Sequence, residues 1–381
     1  MDFEWDPALD AFRAEVEAFL ADALPPELAE QVHRSGVSHD DGFVRRLAEQ
    51  RWVGPDWPRD DGRPPLGPYE IYVLDQVMTE AEAPTYLITT TGMVAAVIRT
   101  VGSDDLKAEI IPRFLRGDVL IALGQTEPEV GSDVGSVRTR ARRDGDRWVI
   151  NGQKMFTTNA HVADYIFLLT RSDPDAPKHA GLTLFLVPLD HPGVEVQAVF
   201  TLSGERTNIV FLNDVTIDDR WRVGPANGGW RALMLALQDE HSAAFSPHLG
   251  RFLRHAAQWA QDTDRLDDPD VQARLGKWAT ELEVAQLLEL RTAWMEANGQ
   301  VPVAEGPMSK LFSTEAIVGG AEDLHAMVGP DALRRRLDPT AIGGGHVEHA
   351  VRFSPGSTIY AGTSEIQRNI IARQACGLPR P

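Results

Sequence analysis

Apolar residues recur at helical spacing in the first stretch of the chain, where Leu9, Phe12, Val16, Phe19 and Leu20 share one face between Asp6-Pro7 and Pro25-Pro26. Asp6 is a cap, Pro7 suits the first helical position, and the proline pair ends the run. The same period predicts a helix over 69–82, with Ile71, Leu74, Val77 and Met78 on one side, and another over 103–116 that Pro112 interrupts. Few residues before Gly117 read as strand, so the first third is expected to be an all-helical layer. From Val119 to Val223 the period shifts towards two. Short apolar runs at 147–150, 165–169, 182–187 and 208–212 predict strands, and Asp144-Gly145 and Asn151-Gly152 are turn pairs of the kind hairpins need.

After Asn227-Gly228-Gly229 the helical period returns. A helix over 230–241 is expected to continue through His248-Leu249-Gly250, bent where Pro247 removes a backbone hydrogen bond. Val271, Leu275, Trp278, Leu282 and Ala285, then Leu287, Leu288, Leu290 and Trp294, predict a long bundle helix that stops before Asn298-Gly299. Near the end, Pro355-Gly356 punctuates, Thr363 is placed as an N-cap, Ile366, Ile370 and Ile371 form a stripe, and Gly377-Leu378-Pro379 stops the helix. A helix start behind glycine is a ready anion site, although most such starts hold only water.

A length of 381 residues allows two or three domains, and 43% hydrophobic with 24% charged residues is ordinary for a globular chain. The formal charge of −19 argues against nucleic acid or an anionic membrane surface as partner. Cys376, the one cysteine, excludes a disulfide framework and a cysteine-based zinc site within one chain, and reads as a small apolar residue of the last helix. No metal is expected. The acidic start, Met1-Asp2-Phe3-Glu4-Trp5-Asp6, lacks a secretory pattern, and no apolar run approaches a membrane span, so a cytoplasmic protein is expected. The arginines Arg138, Arg140, Arg142 and Arg143 read as solvated charges of a strand edge.

Three stretches carry more specific chemistry. They are Gln125-Thr126-Glu127-Pro128-Glu129-Val130-Gly131-Ser132-Asp133, then Asn151-Gly152-Gln153-Lys154-Met155-Phe156-Thr157-Thr158-Asn159, then the run from Ile359 through Tyr360-Ala361-Gly362-Thr363-Ser364-Glu365-Ile366-Gln367 to Arg373. In this order they resemble the acyl-CoA dehydrogenase family, and the resemblance covers essentially the whole chain. It implies an α+β fold with an N-terminal helical domain (1–118), a middle β-barrel-like domain (119–224) and a C-terminal four-helix bundle (225–381). It also implies a flavoprotein that uses FAD to oxidise the α,β carbon bond of an acyl-CoA to the trans-2-enoyl-CoA, with electron-transferring flavoprotein as re-oxidant.

An isoalloxazine ring needs an apolar wall and fixed donors around its pyrimidine edge, which strand ends and tight turns can supply. By resemblance, Leu123, Gln125, Thr126, Gly131, Ser132, Phe156 and Thr158, with Thr363 and Glu365, meet the flavin, while Ser132, Asp239, His241 and Gly362 meet the acyl-CoA. Phe156 stands where the family most often has tryptophan, so the aromatic wall is kept. The catalytic glutamate that usually follows the last motif's tyrosine is Ala361 here. Some members, the isovaleryl-CoA type among them, carry their base on the first helix of the C-terminal domain, and a gapless alignment puts that position on Glu240. A carboxylate is what the reaction demands, because the α proton of a thioester is weakly acidic and leaves from one face while hydride leaves from the other. His241 replaces the arginine that usually follows this glutamate.

Two family motifs that reach the neighbouring subunit's flavin are missing. The first region reads Asp262-Thr263-Asp264-Arg265-Leu266-Asp267-Asp268 and the second His325-Ala326-Met327-Val328-Gly329-Pro330-Asp331. A chain that keeps the contacts for its own flavin and lacks those for its neighbour's suits a heteromeric enzyme with a paralogous subunit, two copies of each, and such members are associated with sterol side chains and other bulky acyl groups. A homo-oligomer is the other arrangement. Two other functions remain in view: a non-catalytic partner subunit, and a flavin monooxygenase of the same fold, which needs no thioester base.

Overall fold

The computed structural model describes residues 6–59, 61–239, 244–336 and 338–379. Six helices come first: α1 (Pro7–Ala23), α2 (Pro26–Ser35), α3 (Asp41–Glu49), α4 (Pro68–Glu80), α5 (Tyr86–Val101) and α6 (Asp104–Leu115). Eight strands follow: β1 (Ile121–Gly124), β2 (Arg140–Asp144), β3 (Arg147–Lys154), β4 (Tyr165–Arg171), β5 (Leu182–Pro188), β6 (Val194–Phe200), β7 (Arg206–Asp218) and β8 (Arg222–Val223). The chain then returns to helix with α7 (Gly229–Asp239), α8 (Ser246–Asp262), α9 (Pro269–Ala297), α10 (Glu305–Val328), α11 (His346–Ser357) and α12 (Ser364–Gln374). This is the α+β succession of helix, sheet and helix that the period of the sequence and the resemblance predict.

Two compact units share the chain. One comprises 23–57 and 84–240, the other 1–22, 58–83 and 241–381. In the first, the strands form one sheet in the order β6-β7-β3-β2-β4-β5-β8, with β1 added parallel to β4. The inward face carries Trp148, Ile150, Ile166, Leu168, Phe185, Val187, Val210 and Leu212 as one core, with the Trp148 and Phe185 rings 5.1 Å apart. Helix α5 is fastened to β1 by the Thr91 hydroxyl, which accepts the Ile121 N–H at 2.8 Å. Helix α6 runs through Pro112 without a break. Proline removes one bond to the preceding turn, and near a helix end that is the whole loss. All four of Arg138, Arg140, Arg142 and Arg143 are solvated, yet Arg140–Asp144 is paired with β3 along its length and so is not a free edge.

In the second unit, α8, α9, α10 and α11 pack around Leu249, Phe252, Trp259, Val271, Trp278, Ile317, Leu324 and Val347. Trp278 is the pivot. Its ring lies against Gly319 and Gly320, where an added Cβ would come within 2.8 Å of the indole at Gly319 and 2.6 Å of Leu249 at Gly320. Its indole N–H donates to Asp323 at 2.7 Å. Glycine is needed at both places because α10 leaves no room for a side chain there. Cys376 is exposed and lies beyond the end of α12, contrary to its reading as a packed helix residue. The helix has already stopped at Gln374, so nothing remains for the thiol to pack against. No helix of the described residues is long and apolar enough to cross a membrane.

Trp278→Ala should lower the free energy of unfolding by about 3–5 kcal/mol through lost burial and the cavity left behind, read as an earlier urea midpoint. An unchanged midpoint would show that α9 and α10 do not depend on this contact.

Candidate active site

The first and second motifs meet at the ends of β1 and β3. Beyond Gly124 the chain leaves the sheet, and the Met155 N–H donates to the Thr126 carbonyl at 2.9 Å, so Gln125-Thr126 and Met155-Phe156 lie side by side. Behind them Lys154 is buried with 0% exposure. Its ammonium donates to Glu127 Oε1 at 2.8 Å and to the Gln125 carbonyl at 3.2 Å. The Glu127 carboxylate also accepts the Arg138 N–H at 2.7 Å and the Thr139 N–H at 2.9 Å. Burial alone would push that carboxyl up, but the Lys154 charge and these donors hold it below its ordinary value. Burial brings the ammonium down to about 8, so both partners are charged at neutral pH. One buried ion pair thereby fixes the 125–127 turn, the end of β3 and the 138–139 backbone.

Phe156 and Asn159 hold φ of 57° and 59°, a left-handed conformation that ordinary side chains rarely adopt. Strain of this kind persists where the surroundings overdetermine it, and it clusters at functional sites. Here the clamp is Asn208: its amide donates to the Thr157 carbonyl and its own carbonyl accepts the Thr157 N–H, both at 2.9 Å. Phe156 stands out from this segment with 56% exposure, an uncovered aromatic face. Around it, Gln125 Nε2, Thr157 Oγ1 and both side-chain polar atoms of Asn159 are buried without a partner among the described residues. Buried polar groups are normally satisfied. Orphaned donors and acceptors beside an exposed aromatic ring fit a planar, polar-edged ring system such as a flavin, so Gln125, Thr126, Phe156 and Thr158 suit a cofactor there. Leu123 lies one residue before the end of β1, and Gly131 and Ser132 follow the Glu127–Val130 bridge, both exposed. Lys154, Glu127, Thr157, Asn159 and Asn208 were not singled out from sequence. The signal for Lys154 is its place an even number of residues along from the inward Trp148 and Ile150, although exposed Gly152 and a bulge interrupt that face.

The third motif lies in the other unit. Thr363 caps α12, its hydroxyl accepting the Ile366 N–H at 3.3 Å as the sequence predicts. Before it the chain turns through Ala361 (φ 53°) and Gly362 (φ 81°). Two buried side chains from below hold that turn: Lys310 donates to the Gly362 carbonyl at 2.8 Å and Gln367 to the Ala361 carbonyl at 2.7 Å. Glu365 is exposed in the first turn of α12, where its backbone N–H and Thr363 hold its carboxyl below the ordinary range.

Helix α7 ends at Asp239 and a separate helix starts at Ser246, with Pro247 in its first turn. The expected single bent helix is thus two helices, because proline is tolerated at a helix start, where its missing N–H has no intrahelical partner to lose. Glu240 and His241 lie outside the described residues, and Asp239 is described only as the last residue of α7. What starts α8 is Glu289 on α9, 6% exposed, whose Oε1 accepts the Phe245 and Ser246 N–H groups at 2.9 and 2.8 Å. Its Oε2 accepts the Ser246 hydroxyl and the Gln76 amide, both at 2.6 Å. The Phe245 ring in turn stacks on Tyr360 of the third motif, 6.4 Å between centroids. Beside Glu289, burial and then the Glu289 charge push Asp75 up to about 7. Among the described residues no group of three or more His, Cys, Asp or Glu could hold a metal.

Lys154→Met should leave Glu127 buried and unpaired, costing about 3–5 kcal/mol and loosening the 125–127 turn. Adding Glu127→Gln should recover most of that loss in a thermal melt; a double variant no better than the single would mean the charge is not what matters. For Asp75 the folded pKa of about 7 lies above the ordinary 3.8. The folded chain therefore keeps a proton that the unfolded chain has lost, so this contribution to stability is complete below the ordinary value and disappears as pH rises through 7. Melting curves of wild type and Asp75→Asn should diverge as pH rises from 3.8 to about 7, with wild type falling behind; parallel curves would show that Asp75 titrates normally.

Comparison with known proteins identifies the family. Three family profiles match in succession: the acyl-CoA dehydrogenase N-terminal domain over 6–118, the middle domain over 122–219 and the C-terminal domain over 227–376. Acyl-CoA dehydrogenase FadE26 of Mycobacterium tuberculosis is 31% identical, covering 100% of this chain and 99% of its own. The solved steroid ACAD Tcur3481-Tcur3483 superposes with a TM-score of 0.94 at 30% identity, covering both chains fully. The ChsE4-ChsE5 complex from Mycobacterium tuberculosis gives 0.91 at 30% identity, again with 100% of each chain covered. With all three regions matched in order over nearly the whole length, the chain belongs to the acyl-CoA dehydrogenases, a family of oxidoreductases.

Proposed function

We propose that this chain catalyses the α,β-dehydrogenation of an acyl-CoA to the trans-2-enoyl-CoA, with FAD as cofactor and Glu240 as base, as one subunit of a heteromeric enzyme that takes bulky acyl groups. The observation that carries the proposal is the set of orphaned polar atoms of Gln125, Thr157 and Asn159 around the uncovered Phe156 ring. FAD, when bound, accepts hydride from the β carbon. The remaining work belongs to the chain. Glu240 takes the α proton, its carboxylate becoming the acid as the C–H electron pair moves into the new double bond. The turn around Ala361-Gly362, with its carbonyls tied down by Lys310 and Gln367, gives the thioester end a fixed wall. Ala361 leaves that wall without a carboxylate, which is why the base is assigned to Glu240. Ser132, Asp239, His241 and Gly362 are assigned to the acyl-CoA, and Thr363 and Glu365, at the start of α12, to the flavin.

Support for a heteromer comes from the two missing motifs and from the two similar structures, each of which is a two-component complex by name, one of them a steroid ACAD. A paralogous subunit in an α2β2 assembly would supply the missing contacts, and electron-transferring flavoprotein would re-oxidise the flavin. Ala361 also favours a second reading, a flavin-holding partner whose paralogue does the chemistry.

The chain co-expressed with a paralogous subunit should bind FAD and bleach on addition of acyl-CoA. Glu240→Gln should slow bleaching by about 10²–10⁴-fold with FAD retained. Bleaching that survives in Glu240→Gln would assign the chemistry to the partner.

A further inference from the structure

A cavity of about 60 Å³ lies between α4, α9 and the start of α8, walled on its apolar side by Ile71, Ala244 and Ala293. One water-sized group needs only about 10–15 Å³, so the space admits a substituent larger than a single water. Its polar wall includes Glu289, Thr292, Asp75 and Ser309. The first two are already engaged. Glu289 accepts four hydrogen bonds, which occupy both of its oxygens, and the Thr292 hydroxyl donates to the Leu288 carbonyl at 3.2 Å. The other two are not. Ser309 is 4% exposed and Asp75 half-buried, and neither side chain has a hydrogen-bond partner among the described residues.

The Ser309 hydroxyl and the Asp75 carboxyl thus face the cavity with no partner among the described residues, and whatever fills it must satisfy them. A ligand group that both donates and accepts would satisfy the two together. An aliphatic hydroxyl does so, donating to Asp75 and accepting from Ser309, whereas a methyl group strands both. A cation is less well matched, because the Glu289 oxygens are already taken up by four donors and burial holds both Glu289 and Asp75 towards their protonated forms.

The cavity's position ties it to the acyl group. Ala244 lines it, and the adjacent Phe245 stacks on Tyr360 of the third motif. Glu240 precedes Ala244 by four residues, so chain length alone keeps the two within about 14 Å. We infer that this cavity is a specificity subsite for a hydroxyl group carried on the acyl moiety, read by Ser309 and Asp75. The inference rests on the acyl-CoA reading above and narrows it to acyl groups oxygenated away from the thioester.

The test uses the co-expressed FAD-containing complex and matched pairs of alkanoyl-CoA and ω-hydroxyalkanoyl-CoA of roughly six to fourteen carbons, lengths that bracket that reach, with dissociation constants measured by calorimetry. At one length the hydroxylated member should bind about tenfold tighter or more, and the ratio should fall close to one in Ser309→Ala and in Asp75→Ala. Ser309→Thr, which keeps the hydroxyl, should retain the preference and guards against a folding artefact. A ratio near one at every length, a preference that survives Ser309→Ala, or tighter binding of an ω-amino analogue would overturn the inference. Flavin bleaching by the alkanoyl-CoA separates the two ideas: no bleaching with the hydroxyl preference intact fails the dehydrogenase reading alone, and bleaching without the preference fails the subsite alone.

Discussion

A lysine and a glutamate taken wholly out of water are stable only as a bonded pair, and the sheet-bearing unit is arranged around one such pair. Lys154 and Glu127 sit 2.8 Å apart beneath the motif segments, and between them they engage the backbone at Gln125, Arg138 and Thr139. Each of those segments has left regular structure, so its polar backbone groups have no ladder to join. The ion pair takes the ladder's place, and Asn208 does the same for the strained Phe156–Asn159 stretch beside it.

The helical unit applies the same constraint with different side chains. Lys310 and Gln367 take the carbonyls of the turn at 361–362, and Glu289 takes the two N–H groups at 245–246. In each case a buried polar side chain on a long helix satisfies an irregular segment that carries a motif residue or adjoins one. Regular elements thus supply rigidity, and short segments pinned to them by two or three hydrogen bonds present the chemistry.

Much of this was legible. The stripe of Val271, Leu275, Trp278 and Leu282 specifies α9, Thr363 caps α12 where the pattern places it, and the alternation at 165–169 and 182–187 falls within β4 and β5. The backbone segments Gln125-Thr126 and Met155-Phe156, from two separate motifs, lie side by side. The break between α7 and α8 was not legible, because the polar run 238–242 reads equally as a solvated turn of one helix and Pro247 as a bend in it. A carboxylate 43 residues further on, at Glu289, is what turns Ser246 into a helix start, and tertiary partners of that kind leave no local trace. Glu289 itself is one of 56 acidic residues, and nothing beside it in the chain marks it as buried. Cys376 misleads for the opposite reason: its apolar character suggests a packed site that the end of α12 does not provide.

Helix α9 is 29 residues long and carries both Trp278, at the bundle's centre, and Glu289, at the polar cavity. Three turns separate them, a rise of about 16 Å along one stiff rod. The rod couples two regions that share no side-chain contact. A slip or rotation of α9 against the glycine pair on α10 is carried undiminished to the Glu289 carboxylate, and from there to the first turn of α8. Selection on the fit of a tryptophan to two glycines is therefore also selection on the shape of the polar cavity beside Glu289, which can drift through mutations in the hydrophobic core.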